Sequence, residues 1–174
     1  MATTYTLISS NTLSSSAASV TFSSIPSTYT DLVIRYSAQV YTDGTSARYP
    51  FYVGLNGSSG TAHSDTVIRG NGVSVTSFRS TSQPGFPDNP ATAELTTANT
   101  FASGEIYIPS YTVSQYKPVS LFGVNERNTA SETMYVYGGL YSATTSVSSI
   151  VLFNASTYYF VSGSSFYLYG VKNS

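Results

Sequence analysis

Bulky apolar residues recur at every second position along much of this chain, most plainly in the stretch Ser148 to Lys172, SSIVLFNASTYYFVSGSSFYLYGVK. Ile150 and Leu152 point one way there, and Val151 and Phe153 the other. Further on, Phe166 and Leu168 oppose Tyr167 and Tyr169. A period of two is the strand repeat, not the 3.6 of a helix. Gly163 among serines breaks the stretch before its last strand. Three aromatic rings in that last strand predict a central, pinned position, since a small β domain loses too much by exposing them.

The same pattern governs the rest. Asp31 to Tyr41 is the clearest strand, with Leu32, Ile34, Tyr36, Ala38 and Val40 on one face and Val33, Arg35, Ser37 and Gln39 on the other. One buried and one mostly polar face is the antiparallel pattern. Val20 and Phe22 alternate before Ile25-Pro26, where the missing N–H ends a ladder. Asp43-Gly44 is a turn signal, and Tyr49 to Leu55 follows as a strand with Phe51, Val53 and Leu55 inward. Asn56 to Gly60 predicts a flexible loop, and Gly70-Asn71-Gly72 a hairpin between Thr66–Arg69 and Val73–Arg79. Ile106 and Ile108 mark a later strand, and Leu121 opposite Phe122 another. A Tyr-rich strand from Glu132 to Ser142 is expected to break or bulge at Gly138-Gly139.

These segments add up to about nine to eleven strands with turn signals roughly every 8–12 residues and no significant helix. The expectation is an all-β chain, a single antiparallel β-sandwich of jelly-roll type, because so many strands in one open sheet would leave exposed edges. With 174 residues there is room for one such domain, spanning 19–174. Residues 1–18 form either its first edge strand or an arm that adds a strand to a neighbouring subunit. Residues 80–100 hold Pro84, Pro87 and Pro90 and predict a long unpaired loop, with at most one helical turn around Ala91 to Leu95.

Catalytic and ligand-binding chemistry is thin. The one histidine, His63, lies among Gly60, Ser64 and Asp65 and is expected in a surface loop. Eight acidic residues fall mostly in turns, and the absence of Trp removes the usual lining of a sandwich glycosidase cleft. There is no nucleophile elbow, no phosphate loop, no Asp-x-Asp-x-Asp-Gly loop, no paired histidine and no cysteine. The expectation is therefore no enzyme, no cofactor and no metal. A net charge of −1, with seven scattered basic residues, gives no footprint for nucleic acid. No run approaches the roughly 20 apolar residues of a membrane span, and no leader pattern opens the chain. A cytoplasmic product that is not membrane-bound is expected.

What remains is surface. Charged residues make up only 9% of the chain, so its solubility rests on Ser, Thr, Asn and 16 Tyr. Tyrosine offers large contact area at low entropy cost. The candidate contact residues are Tyr5 and Leu7 in the opening segment, Tyr41, Tyr111, Tyr116 and Tyr141 in expected loops or on outward faces, and Phe86 in the proline-rich loop. Phe86 either docks on a partner or folds back on its own core. For each single Tyr, plain strand propensity is the alternative.

Two segments resemble a known group. TLSSSAASVTFSSIPSTYTDLVI, Thr12 to Ile34, is similar to the opening of small β-sandwich virion proteins of tailed bacteriophages, including cyanophages. SFYLYGVK, Ser165 to Lys172, is similar to their closing strand. The likeness lies in these two segments, towards the two ends of the chain. It implies a structural virion protein made in the host cytoplasm. The role implied is a capsid decoration (cement) protein on the capsid surface, commonly a homotrimer, whose partner is the major capsid protein. The other role found in the group is a tail or fibre protein that binds a host-surface glycan. It implies no catalytic motif.

Overall fold

A computed structural model describes residues 4–41, 50–57, 59–93, 99–126, 133–154 and 158–172. Fourteen strands lie among them. They are β1 (Tyr5–Thr12), β2 (Ser19–Phe22), β3 (Asp31–Tyr41), β4 (Phe51–Leu55), β5 (His63–Gly70), β6 (Val75–Gln83) and β7 (Phe86–Asn89). They continue as β8 (Thr92–Ala93), β9 (Ala102–Ile108), β10 (Lys117–Asn125), β11 (Thr133–Tyr141), β12 (Ile150–Phe153), β13 (Tyr159–Phe160) and β14 (Ser165–Val171). The chain is an all-β sandwich, with two antiparallel sheets packed against each other. The larger sheet runs β1-β14-β3-β9-β10-β11-β5-β6, with β13 and β8 also pairing β3. The smaller runs β2-β12-β4-β7.

The number of strands exceeds the expected nine to eleven because three of them, β7, β8 and β13, are two to four residues long. Alternation cannot mark the two-residue β8 and β13, and proline masks the four-residue β7. The closing stretch is pinned as its aromatics predict: β14 lies between β1 and β3 in unbroken register with β3, from Ser165↔Ser37 to Val171↔Asp31. Its neighbour in sequence, β12, belongs to the other sheet, between β2 and β4. Among the described residues, the opening strand β1 is an edge of the large sheet, paired with β14 and bulged between Leu7 and Ser9.

The core lies between the sheets. Phe51 of β4 meets Tyr36 of β3 edge-on at 5.0 Å and Phe160 of β13 at 5.2 Å. Phe160 in turn packs on Phe166 of β14 at 4.9 Å. The segment 142–149 carries the chain from the large sheet to the small one. Buried Lys117 holds it by donating to the carbonyls of Ala143 (3.3 Å) and Thr145 (2.7 Å), and to that of Gln115 (2.8 Å). Asn56 holds its far end, where Oδ1 accepts Ser148 N–H at 2.8 Å and Nδ2 donates to Ser146 O at 2.9 Å. Asn56 opens the segment expected to be a flexible loop, yet it is this fixed hub, with φ of 56°.

Three further expectations change. The proline-rich segment is not an unpaired loop: β6 runs to Gln83, β7 pairs β4, and Thr92–Ala93 pairs β3 in parallel, where a helical turn was expected. Pro87 is tolerated because β7 is an edge strand with a register shift against β4 between Phe51 and Val53, where no N–H is demanded of it. Gly138-Gly139 does not bulge, and β11 keeps register through both glycines with β10 and β5. Gly139 points inward, where a Cβ would lie 2.6 Å from Phe86 Cε1, so the glycine makes room for that ring. The turn expected at Asp43-Gly44 lies outside the described residues, as does Leu95.

Candidate interaction face

Of the seven candidate contact residues, three are not on the surface. Phe86 is fully buried, edge-on to His63 at 4.9 Å, because β7 turns it into the sandwich. Tyr111 is fully buried, and its hydroxyl donates to the Pro26 carbonyl, which satisfies its one polar atom. Tyr141 ends β11 on the inward side, where its ring lies 4.9 Å from His63. Tyr41 is half-buried at the end of β3, stacked on Tyr159 at 4.7 Å with the planes 5° apart. Tyr116 is exposed in the segment before β10. Tyr5 and Leu7 are exposed on β1.

His63 is no loop residue either. It opens β5 and is buried. Leu55 N–H donates to its Nε2 at 3.1 Å, so the ring hydrogen sits on Nδ1, 3.3 Å from the Gln83 carbonyl. The ring thus ties β4 of the small sheet to β5 and β6 of the large one. Burial lowers its pKa, partly offset by the Gln83 carbonyl. Its sequence signal was parity: His63 is in phase with inward Val67. Lys117 carries the same signal, in phase with inward Val119 and Leu121.

Tyr5 and Leu7 belong to a larger feature, the outward face of the large sheet. Strand registers order its side chains into rows. One row runs Ile68–Val136–Phe122–Glu105–Arg35–Tyr167 across β5, β11, β10, β9, β3 and β14. The next runs Thr66–Gly138–Ser120–Tyr107–Val33–Tyr169–Leu7. The face has two halves. On β9, β3, β14 and β1 it is aromatic. Arg35 lies 5.4 Å from the Tyr5 ring centre and 5.7 Å from that of Tyr169, and its Nε donates to Glu105 Oε2 at 2.7 Å. Both charged side chains are about half exposed, so the pair orients the rings more than it stabilises the fold. Tyr107 donates to Asp31 Oδ2 at 2.8 Å, and burial together with that carboxylate pushes its pKa up to about 12. Val33 is buried although it points outward, because Tyr107 and Tyr169 flank it in register.

On β10, β11 and β5 the face is apolar. Ile68 is 54% exposed, Val136 49%, Phe122 51% and Met134 53%. The twelve outward positions of these strands (Pro118, Ser120, Phe122 and Val124; Met134, Val136, Gly138 and Leu140; Ser64, Thr66, Ile68 and Gly70) carry no charge. Contiguous apolar patches on a sheet face mark places where something else is meant to sit. Among the described residues, no group of three or more His, Asp and Glu side chains gathers where it could hold a metal. No family model, no curated protein and no solved structure matches this chain.

Proposed function

We propose that this chain is a structural, non-catalytic protein of a tailed-phage virion, a capsid decoration protein that binds the outer shell and stabilises the head. The observation that carries the reading is the outward face of the large sheet, aromatic and apolar over most of its width and crossed, among the described residues, by a single ion pair. The likeness of Thr12–Ile34 and Ser165–Lys172 to small virion sandwiches supports it from the sequence side. In this reading the aromatic half, with Tyr5 and Leu7 on the edge strand, rests on the major capsid protein. Many weak copies joined to one shell gain by avidity what a single contact lacks. Phe86, Asn89, Ala91 and Thr92 of the 80–100 segment take no part in docking, since they are fully buried.

The test is copy number in purified particles, by quantitative mass spectrometry on separated heads and tails. Decoration predicts tens to hundreds of copies on heads. A Leu7→Glu variant, which changes an exposed side chain, should fold normally and be lost from particles. A few copies on tails would replace the reading with a tail protein that binds a host glycan, for which exposed Tyr5 and Tyr107 beside Arg35 and Glu105 supply stacking and hydrogen-bonding groups. Absence from both would end the virion reading.

A further inference from the structure

The apolar half of the face has an internal relief. Ile68, Val136 and Phe122 form a ridge across β5, β11 and β10. Thr66, Gly138 and Ser120 form a trough beside it, two residues along each strand, or about 6.8 Å away. The floor of that trough is Gly138, and nothing among the described residues explains a glycine there. A Cβ at Gly138 would meet no atom within 4 Å, and its φ is not in the left-handed region. Glycine in a strand interior is unfavourable without such a reason. Its neighbour Gly139 has one, the Phe86 ring.

We propose that the β10–β11–β5 face is the interface of a symmetric dimer, in which a second copy lays its ridge in this trough. A two-fold axis running along the rows, midway between ridge and trough, places Val136 of one copy over Gly138 of the other. It places both Phe122 side chains over Ser120 and both Ile68 side chains over Thr66. A face that carries ridge and trough at one spacing is self-complementary, as a two-fold interface must be. None of the twelve outward positions of β10, β11 and β5 is charged, and the charges on the flanking strands lie at the rim, with Glu105 of β9 paired to Arg35 and Arg79 of β6 exposed. Net charge of −1 leaves little repulsion between copies.

The size also fits. With β9 and β6 at its margins the face is about 24 Å across and about 30 Å long, roughly 700 Å² per copy. A standard interface takes about 800 Å² per partner. Sheet twist of about 20–25° per strand turns β14 and β1, four and five strands from β11, out of this plane. Dimerisation therefore shares only β9 with the half of the face assigned to the shell and leaves Tyr5 and Leu7 uncovered, so it stands or falls independently of the virion reading.

Sedimentation velocity of the whole chain, up to about 100 μM, tests this. The expected result is a reversible species of twice 18.5 kDa. Gly138→Val fills the trough with a strand-favouring residue that meets open space in its own chain, so it should keep or raise the melting temperature of the monomer. It should weaken dimerisation at least about tenfold, and Val136→Lys should do the same. Thr21→Lys, exposed on the small sheet, should change nothing. A chain monomeric throughout, a trimer, or a dimer indifferent to Gly138→Val would each overturn the proposal.

Discussion

Replacing Gly139 by Ala adds one methyl group where the fold has left no room for it. The new Cβ would lie 2.6 Å from Phe86 Cε1, 2.8 Å from Cδ1 and 3.4 Å from Cζ. Ordinary contact begins near 3.5 Å, so the ring must retreat by about 1 Å. It has nowhere to go: Phe86 is fully buried, with His63 edge-on at 4.9 Å and Tyr137 at 6.3 Å. Overpacking of this kind costs about 1–3 kcal/mol. Against it stands about 0.5–1 kcal/mol gained by replacing glycine in a strand. The net expectation is a loss between about 0 and 2.5 kcal/mol, centred near 1 kcal/mol, the overpacking cost less the glycine gain. Gly138→Ala, one residue away on the open face, should gain the second term and lose nothing. Phe86→Leu shortens the ring and should rescue Gly139→Ala, giving a coupling of about 1 kcal/mol in a double-mutant cycle. Urea unfolding followed by circular dichroism, at a concentration where the chain is monomeric, measures all four variants. Equal stabilities for the two Gly→Ala changes, or no rescue by Phe86→Leu, would refute the packing account.

Other expectations can be checked with the same assay. His63 has a lowered pKa in the fold, so between that value and the unfolded one of about 6.5 the unfolded chain holds the extra proton. Stability should be complete above about pH 6.5 and fall as pH drops through the folded pKa. Subtracting the same titration of His63→Gln isolates this part, and identical acid profiles for the two proteins would remove His63 as the cause. Lys117→Met keeps the stem but leaves the carbonyls of Gln115, Ala143 and Thr145 without their donor, at a cost of about 2–4 kcal/mol. Hydrogen exchange should then rise first in 142–149, and exchange rising uniformly instead would count against the local role. Deletion of 82–92 should yield insoluble protein, because it removes the fully buried Phe86, Asn89, Ala91 and Thr92. A soluble, folded product would contradict their place in the core.

Strands longer than about five residues were legible because each side chain declares its face by parity. Leu121 is buried and Phe122 half exposed, as alternation requires. Parity alone did not sort the tyrosines. Tyr111 is buried because Pro26, 85 residues away, supplies an acceptor, and only the fold brings the two together. Phe86 was hidden by its proline neighbours, whose effect depends on whether a strand is central or at an edge. His63 looked like a loop residue from Gly60 and Asp65, whereas its environment is set by Leu55, Gln83, Phe86 and Tyr141. The ridge and trough of the outward face required the registers between strands, which no single segment contains.

The position of β14 bears on how the chain is made. Among the described residues β1, near the start of the sequence, has no partner strand but β14, and β3 has β14 along one side. During synthesis both must wait, with bare hydrogen-bonding edges, until Ser165–Val171 leaves the ribosome. Folding of the large sheet is thereby deferred until β14 has been made, and its dependence on such distant pairings makes it slow. The delay also acts as a checkpoint, since a nascent chain halted before β14 cannot pair β1 and exposes itself to proteases and chaperones. Only chains translated through Val171 then enter the pool that can assemble.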